Sequence, residues 1–514
     1  MKASNRIIVN TLAQYVRTIF NVVLSLWSSR LILLALGESD FGIYSLVAGI
    51  VSMLSFMVNA LTQSTQRYIS YYQGKNNIDD TKSVFNNSLI LHLSIGLVLI
   101  VLFEIVSLFL FDGFLNISLE RIEAAKVVYQ LVAAMLFVSV VSAPFKALLI
   151  SHENIIYVSI VEVVDGILKL ILAISLAYIN YDKLIVYGCL MLAISVFNLL
   201  SFLIYDLIKY KECKILDLRS FNLQYVKETF SFTGWVVYYS LCVVGRAQGI
   251  ALVVNKFYGA VLNAAYGIGV QVSGAVNFVS SSLSNAVNPQ LVKAEGANNR
   301  KQVWTLAILQ CKYSFLLLAA VSIPIIWELD TILEIWLKEV PANTNFFATM
   351  ILVATLINQL TYGLTSAKRA IGNIKVYELV TATPKLLAVL FAALCLYYGA
   401  PLYSIAICYV GAETFSAFIR LPLLKYTDGF DVKRYFKDVL LKCVIPVLFA
   451  ILSCCLVIEF VDINFRFLLT FFVSVMMIMF SSYFFSMGET EKEKVKSVFK
   501  AVLKYLQSRV CKKS

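Results

Sequence analysis

From residue 8 to residue 487 the chain runs through one apolar stretch after another, most of them 20 residues or longer. About 20 apolar residues in an α-helix cross the roughly 30 Å of hydrocarbon in a bilayer. Fourteen such spans are read: 8–36, 41–65, 86–111, 126–149, 155–180, 184–208, 233–257, 262–287, 304–327, 345–367, 375–398, 402–424, 439–460 and 464–487. Charged residues make up 14% of the chain, against about 25% in soluble proteins. The expected fold class is therefore an all-α polytopic membrane protein. The start, MKASNRIIVN, is polar for only a few residues. No small-residue cleavage site follows the first span, so no signal peptide is expected.

The charges between spans alternate. One set of loops carries Arg67, Lys75 and Lys82; Lys146; Lys209, Lys211, Lys214, Arg219 and Lys227; Lys293, Arg300 and Lys301; Lys368, Arg369 and Lys375. The opposite set is mostly acidic: Glu38 and Asp40; Asp112, Glu120 and Glu123; Asp182; Glu328, Asp330 and Glu334. By the positive-inside rule the basic loops and both termini are cytoplasmic, which requires an even number of spans. The net charge of +12 is thus membrane topology and not a nucleic-acid footprint. Ten cysteines lie mostly inside apolar segments with no CxxC, and only His92 and His152 are available. Zinc sites and disulfide frameworks are not expected.

The chain also repeats itself. Leu36–Asn77 aligns without a gap on Tyr258–Asn299, at an offset of 222 residues. Gly37 falls on Gly259, Tyr44 on Tyr266, Gly74 on Gly296, and Asn76 and Asn77 on Asn298 and Asn299. Thr62, Gln63 and Gln66 meet Ser284, Asn285 and Asn288. At an offset of 220, Tyr157 meets Tyr377 and Leu170 meets Leu390. Two halves of six spans each insert in the same orientation, as parallel transporter halves do. The expected division is an N-terminal lobe (1–208), a linker with an interfacial helix (209–232), a C-terminal lobe (233–424), two extra helices (425–487) and a basic tail (488–514). In the linker FNLQYVKETFSF is amphipathic. In the tail Val495, Val498, Phe499, Val502 and Leu506 recur at helical spacing among lysines.

Certain stretches resemble the bacterial polysaccharide exporters. They are RIIVNTLAQYVRTIF with LGESDFGIYSLV, then FSFTGWVVYYSL with NKFYGAVLNAAYGIGVQV and NPQLVKAEGANN. These exporters are flippases of lipid-linked oligosaccharides such as O-antigen units, in the superfamily that includes multidrug and toxin extruders and lipid II flippases. The resemblance covers spans 1–12 well and 13–14 loosely. It implies two six-helix lobes around a central cavity, alternating access, and a place in the bacterial cytoplasmic (inner) membrane.

Polar residues follow helical faces in three spans. Asn10, Gln14, Arg17, Asn21 and Ser28 lie in the first; Ser52, Ser55, Asn59, Thr62 and Gln66 in the second; Gln271, Asn277, Ser281, Ser284 and Asn288 in the eighth. Such a face must meet protein or water. Interhelical hydrogen bonding by Ser, Thr and Asn is the plain alternative to a water-filled cavity. Charges in mid-span are rarer: Arg246, Asp165, Lys385 and Glu413, with Glu162 one turn before Asp165. Asp165 and Lys169 are also spaced to pair locally.

On this reading the substrate is an undecaprenyl-diphosphate-linked oligosaccharide. Arg17, Arg246 and Lys385 would take the phosphates. Asn21, Asn59, Gln63 and Asn277 would take sugar hydroxyls. Asp165, Glu162 or Glu413 would couple the cycle to H⁺ or Na⁺. No other cofactor and no metal are expected. The expected partners are the lipid substrate, membrane lipids, glycosyltransferases upstream and a glycan polymerase downstream, with the chain a monomer. The alternatives are a multidrug or toxin extruder and a lipid II flippase. A membrane polymerase or acyltransferase is remote, because neither a large external loop nor a histidine-centred acid–base arrangement is present.

Overall fold

The computed structural model describes residues 3–52, 54–111, 119–213, 221–337, 339–461, 465–489 and 491–493. Among them all regular structure is helical. The helices of the first half are α1 (Ala3–Ser52), α2 (Ser55–Gly74), α3 (Ile78–Phe109), α4 (Ile122–Ser151), α5 (Ile155–Ser175) and α6 (Lys183–Lys209). The second half holds α7 (Leu223–Tyr258), α8 (Ala260–Gly296), α9 (Arg300–Trp327), α10 (Leu329–Leu337), α11 (Thr344–Ile371), α12 (Lys375–Tyr397) and α13 (Tyr403–Asp428). Then come α14 (Val432–Tyr435), α15 (Leu441–Phe460) and α16 (Arg466–Ser481).

Gly37 breaks α1 at φ 79°, ψ 170°, a region essentially open to glycine alone. The first leg of α1 makes one crossing, and the second leg with α2 makes the next. That gives the fourteen crossings read from the sequence. Eleven described helical segments are long and apolar enough to cross a membrane by composition. α5 is not among them because every 18-residue window in it holds Glu162, Asp165 and Lys169.

The duplication is structural. Gly259, the partner of Gly37, joins α7 to α8 at φ 84°, ψ −175°. Asn76 and Asn298 both sit in the left-handed region, at φ 56° and 55°. Each closes its helix, Asn76 N–H donating to Gln73 O and Asn298 N–H to Glu295 O. The next residues then cap the following helices: Asn77 accepts from Asp80 N and Asn299 from Gln302 N, each at 3.1 Å. Packing repeats as well. α1 lies on α5 as α7 lies on α12, α2 on α4 as α8 on α11, and α4 on α6 as α11 on α13. Two six-crossing lobes result.

α15 and α16 pack beside the second lobe on α9. Glu328, just past the end of α9, receives Arg466 Nε at 3.0 Å and Thr470 Oγ1 at 2.7 Å. Lys312 Nζ reaches Ser486 O at 3.0 Å and Glu491 Oε2 at 2.8 Å.

The stretch FNLQYVKETFSF is helical, but from Leu223 onward it forms the first turns of α7 and not a separate element. Asn222 caps it. Tyr225, Thr229 and Phe232 are buried, and Tyr225 Oη meets Ser88 Oγ at 3.1 Å. One face of the stretch therefore packs on the first lobe, while Leu223 and Phe230 stay exposed. The tail positions Val495, Val498, Phe499, Val502 and Leu506 lie outside the described residues.

Candidate functional site

Polar helix faces in a membrane bundle must find partners, and here they do so at three places. The first is inside the N-terminal lobe. Glu162 on α5 takes Arg17 of α1 on one carboxylate oxygen and Lys146 Nζ of α4 on the other, the latter at 2.6 Å. Asn21 Nδ2 donates to the Glu162 carbonyl at 3.2 Å. Gly166 allows this, since a Cβ there would lie 2.8 Å from Asn21 Oδ1. One turn along, Asp165 accepts from Asn198 Nδ2 at 2.7 Å and pairs with Lys169 at 2.8 Å. Asn21, Lys146, Glu162, Asp165, Lys169 and Asn198 border a cavity of about 390 Å³ that Asn59, Thr62, Ser139, Ser142 and Ser195 also line.

The second place is the interior of the C-terminal lobe. Glu413 on α13 receives Arg246 Nη1 of α7 at 2.5 Å on one oxygen and Lys385 Nζ of α12 on the other. Arg246 also stands over the Tyr409 ring, its Cζ 4.1 Å from the centroid. The side chains of Glu413 and Lys385 are 2% and 1% exposed. Two cations thus share one carboxylate, surrounded by protein. Nearby Arg420, fully buried, donates to Thr361 Oγ1 at 2.9 Å and Asn358 Oδ1 at 2.8 Å.

The third place is the seam between the lobes, on the side of the basic loops. Arg67 Nε donates to Arg369 O at 2.6 Å and its Nη2 to Ala370 O at 3.3 Å. Arg369 answers with Nη1 on Gln63 Oε1 at 2.9 Å and pairs with buried Glu378 at 2.8 Å. Lys293 Nζ meets Glu153 Oε1 at 3.0 Å. Tyr15 Oη donates to Val279 O at 2.7 Å. Beneath these, α2 and α8 touch at Gly74 and Gly296, where any Cβ would run into the carbonyl of Lys293 or of Tyr71. The two lobes are closed against each other here.

The ten residues singled out from the sequence therefore divide. Arg17, Asn21, Asn59, Glu162 and Asp165 come together in the N-terminal lobe. Arg246, Lys385 and Glu413 come together in the C-terminal lobe. Gln63 belongs to the seam. Asn277, exposed on α8, accepts from Ser280 of its own helix at 3.1 Å. Arg17 and Arg246 each hold a carboxylate of their own lobe, and the structure gives no contact between them. Four charges that matter were read as loop residues or passed over: Lys146, Arg67, Arg369 and Arg420. α2 and α11 run past the apolar limits of their spans, to Gly74 and Ile371, whereas Lys146 lies inside its span and near the end of α4 (Ile122–Ser151). The signal that would have found Arg369 is its spacing from Lys368, which puts one cation toward Asp428 and the other toward Glu378.

No protein-family model matches the chain, and no curated protein does. Solved structures do. A MATE point mutant aligns with a TM-score of 0.73 at 15% identity, covering 85% of this chain and 98% of that one. An outward-facing multidrug resistance MATE transporter of the MOP superfamily aligns at 0.68 and 14%, covering 85% and 97%. A MOP superfamily transporter from Pyrococcus furiosus, described as having a binding pocket of reverse polarity, aligns at 0.72 and 14%, with the same coverage. The chain has the fold of the MATE transporters of the MOP superfamily. With eleven described helical segments long and apolar enough to cross a bilayer, it is a multi-pass membrane protein.

Proposed function

We propose that the chain is an alternating-access exporter of the bacterial cytoplasmic membrane, and that its cargo is a lipid-linked oligosaccharide with an anionic diphosphate head. The observation that carries the cargo is the N-lobe cavity. Eleven of its fourteen lining side chains are polar, and only Val58, Ala143 and Phe202 are apolar. A site for drug-like molecules is mostly apolar and aromatic. Asn, Ser and Thr suit sugar hydroxyls, and Lys146 and Lys169, set beside Glu162 and Asp165 on the cavity wall, offer cations to an anionic head. The lipid tail would stay in the bilayer. The closed basic side supports a state facing the opposite side, with rocking of the lobes about the Gly74–Gly296 contact as the transition.

Ion coupling by H⁺ or Na⁺ belongs with the same proposal. Glu162 and Asp165 border the cavity, whereas Glu413 is closed off beneath two cations. Glycosyltransferases before the step and a polymerase after it would be the functional partners.

The comparisons favour a second reading, extrusion of drugs or toxins, because the neighbouring folds include a multidrug resistance transporter. The cavity volume also falls within the range of about 300–1,000 Å³ usual for small-molecule sites. One experiment separates the two. In cells carrying Lys146→Ala, Lys169→Ala or Glu162→Gln at matched protein level, surface glycan and the inhibitory concentrations of cationic dyes are both measured. Loss of glycan with unchanged dye resistance supports the flippase. Normal glycan with lost dye resistance supports extrusion.

A further inference from the structure

A second cavity, of about 770 Å³, opens on the basic face, where α2, the first turns of α7 and the α11–α12 turn meet. It is separate from the N-lobe cavity, and no sequence motif pointed to it. Four cations line it, Arg67, Lys75, Lys227 and Lys375, against one carboxylate, Glu228. Glu228 is engaged by Gln224 Nε2 at 3.1 Å. Ring faces stand beside the cations. The Arg67 guanidinium lies 4.7 Å from both the Tyr68 and Phe232 centroids, Lys75 Nζ lies 4.6 Å from Tyr71, and Lys375 Nζ lies 5.8 Å from Trp235. A ring face attracts a cation without neutralising it. The cleft is thus a concentration of positive charge walled by aromatic surface, the combination that takes phosphate oxygens on one side and a flat or apolar group on the other.

We propose that this cleft binds a phosphate-bearing ligand. Lys75, Lys227 and Lys375 hold the phosphate, and Tyr68, Tyr71 and Trp235 contact the remainder. The inference does not depend on the cargo proposed above. Its position gives it a consequence. Arg67 and Lys75 belong to α2 and its C-terminal cap in one lobe, and Lys375 to α12 in the other. A bound phosphate therefore draws the two lobes together at the seam that Arg67 already closes through the carbonyls of Arg369 and Ala370. The phosphate comes either from a soluble compound or from an anionic lipid head group at the membrane surface.

Trp235, one of five tryptophans, reports on the cleft. Full-length protein in phosphatidylcholine nanodiscs is titrated with inorganic pyrophosphate while tryptophan emission is followed, with chloride at equal ionic strength as the control. A saturable change is expected that Trp235→Phe removes. Lys75→Gln, Lys227→Gln and Lys375→Gln together should weaken it by about tenfold or more, and exposed Lys433→Gln should not. If the combined variant is misfolded by thermal unfolding, the three single variants replace it, each expected to weaken the response. An unchanged response in folded charge variants, or the same response to chloride, overturns the proposal. Repeating the titration in phosphatidylglycerol nanodiscs identifies the source. A lost response means that lipid head groups occupy the cleft, and a retained one means a soluble phosphate does; both support the site.

Discussion

Gly74 and Gly296, 222 residues apart in the chain, meet backbone to backbone where the lobes close. A Cβ on Gly296 would lie 3.1 Å from the Gly74 Cα and against the Tyr71 carbonyl. They occupy the same position in the two halves of the duplication, so the contact joins each half to its own copy. Small residues let helix backbones approach this closely in a membrane, where packing rather than hydrophobic burial holds helices together.

Gly296→Leu should hold the seam apart. Overpacking of this kind costs about 1–3 kcal/mol, enough to change a two-state ratio about fivefold or more. Spin labels at exposed Asp79 and Lys301 report the separation by pulsed electron resonance. The variant should show a longer distance population on the basic side than the parent. An unchanged distribution removes the gate role from this contact.

Gly37→Ala and Gly259→Ala should each destabilise the protein by about 1–3 kcal/mol, although neither added Cβ meets any atom within 4 Å. The loss comes from backbone conformation alone. Unfolding in mixed micelles measures it, and Gly234→Ala, which is also unhindered but lies within a helix, should be neutral or stabilising.

Glu413→Gln leaves Arg246 and Lys385 buried without a counter-charge. Breaking a buried pair in this way costs about 3–5 kcal/mol. Lys385→Met keeps the Arg246–Glu413 pair balanced and should lose much less. Thermal unfolding of both variants checks the order; the reverse order would contradict the shared-carboxylate arrangement.

On the acidic face, Arg121 bridges Asp182 at 2.7 Å and Asp40 at 2.5 Å. Burial pushes the Asp182 carboxyl up, but the bonds from Arg121 and from the Ile185 and Leu184 amides outweigh it and hold it below the usual range. Its pKa is therefore lower folded than unfolded. The stabilisation is complete above the unfolded value of about 3.9 and is lost as pH falls through the folded one. The side chains are about a third exposed, so the gain is on the order of 0.2–1 kcal/mol. The melting-temperature gap between the parent and Asp182→Ala should be present at neutral pH and close below about pH 4. A gap that widens on acidification would refute the assignment.

The repeat was legible because it rests on residues whose backbone geometry is fixed by type. Gly37 and Gly259, and Asn76 and Asn298, take matching φ values that few other residues adopt. The crossings were legible from hydropathy. The pairing of charges was not. Arg246 and Glu413 stand 167 residues apart, and no local spacing joins them, whereas the Asp165–Lys169 pair is one helical turn and was readable. Arg67 and Arg369 escaped for a different reason. Apolar limits stop where the lipid does, but the helices continue, and the opposite lobe supplies partners for their polar ends, with Glu378 on the neighbouring α12 for Arg369.

The most direct test of the account is translocation by the purified chain. It is reconstituted into liposomes holding a fluorescent undecaprenyl-diphosphate oligosaccharide, and the fraction reached by an external glycan-modifying reagent is followed. The account predicts transfer well above protein-free liposomes, reduced by Lys146→Ala and by Glu162→Gln, and unaffected by exposed Lys433→Gln. Transfer equal to that of protein-free liposomes, under both inward and outward H⁺ and Na⁺ gradients, would contradict it.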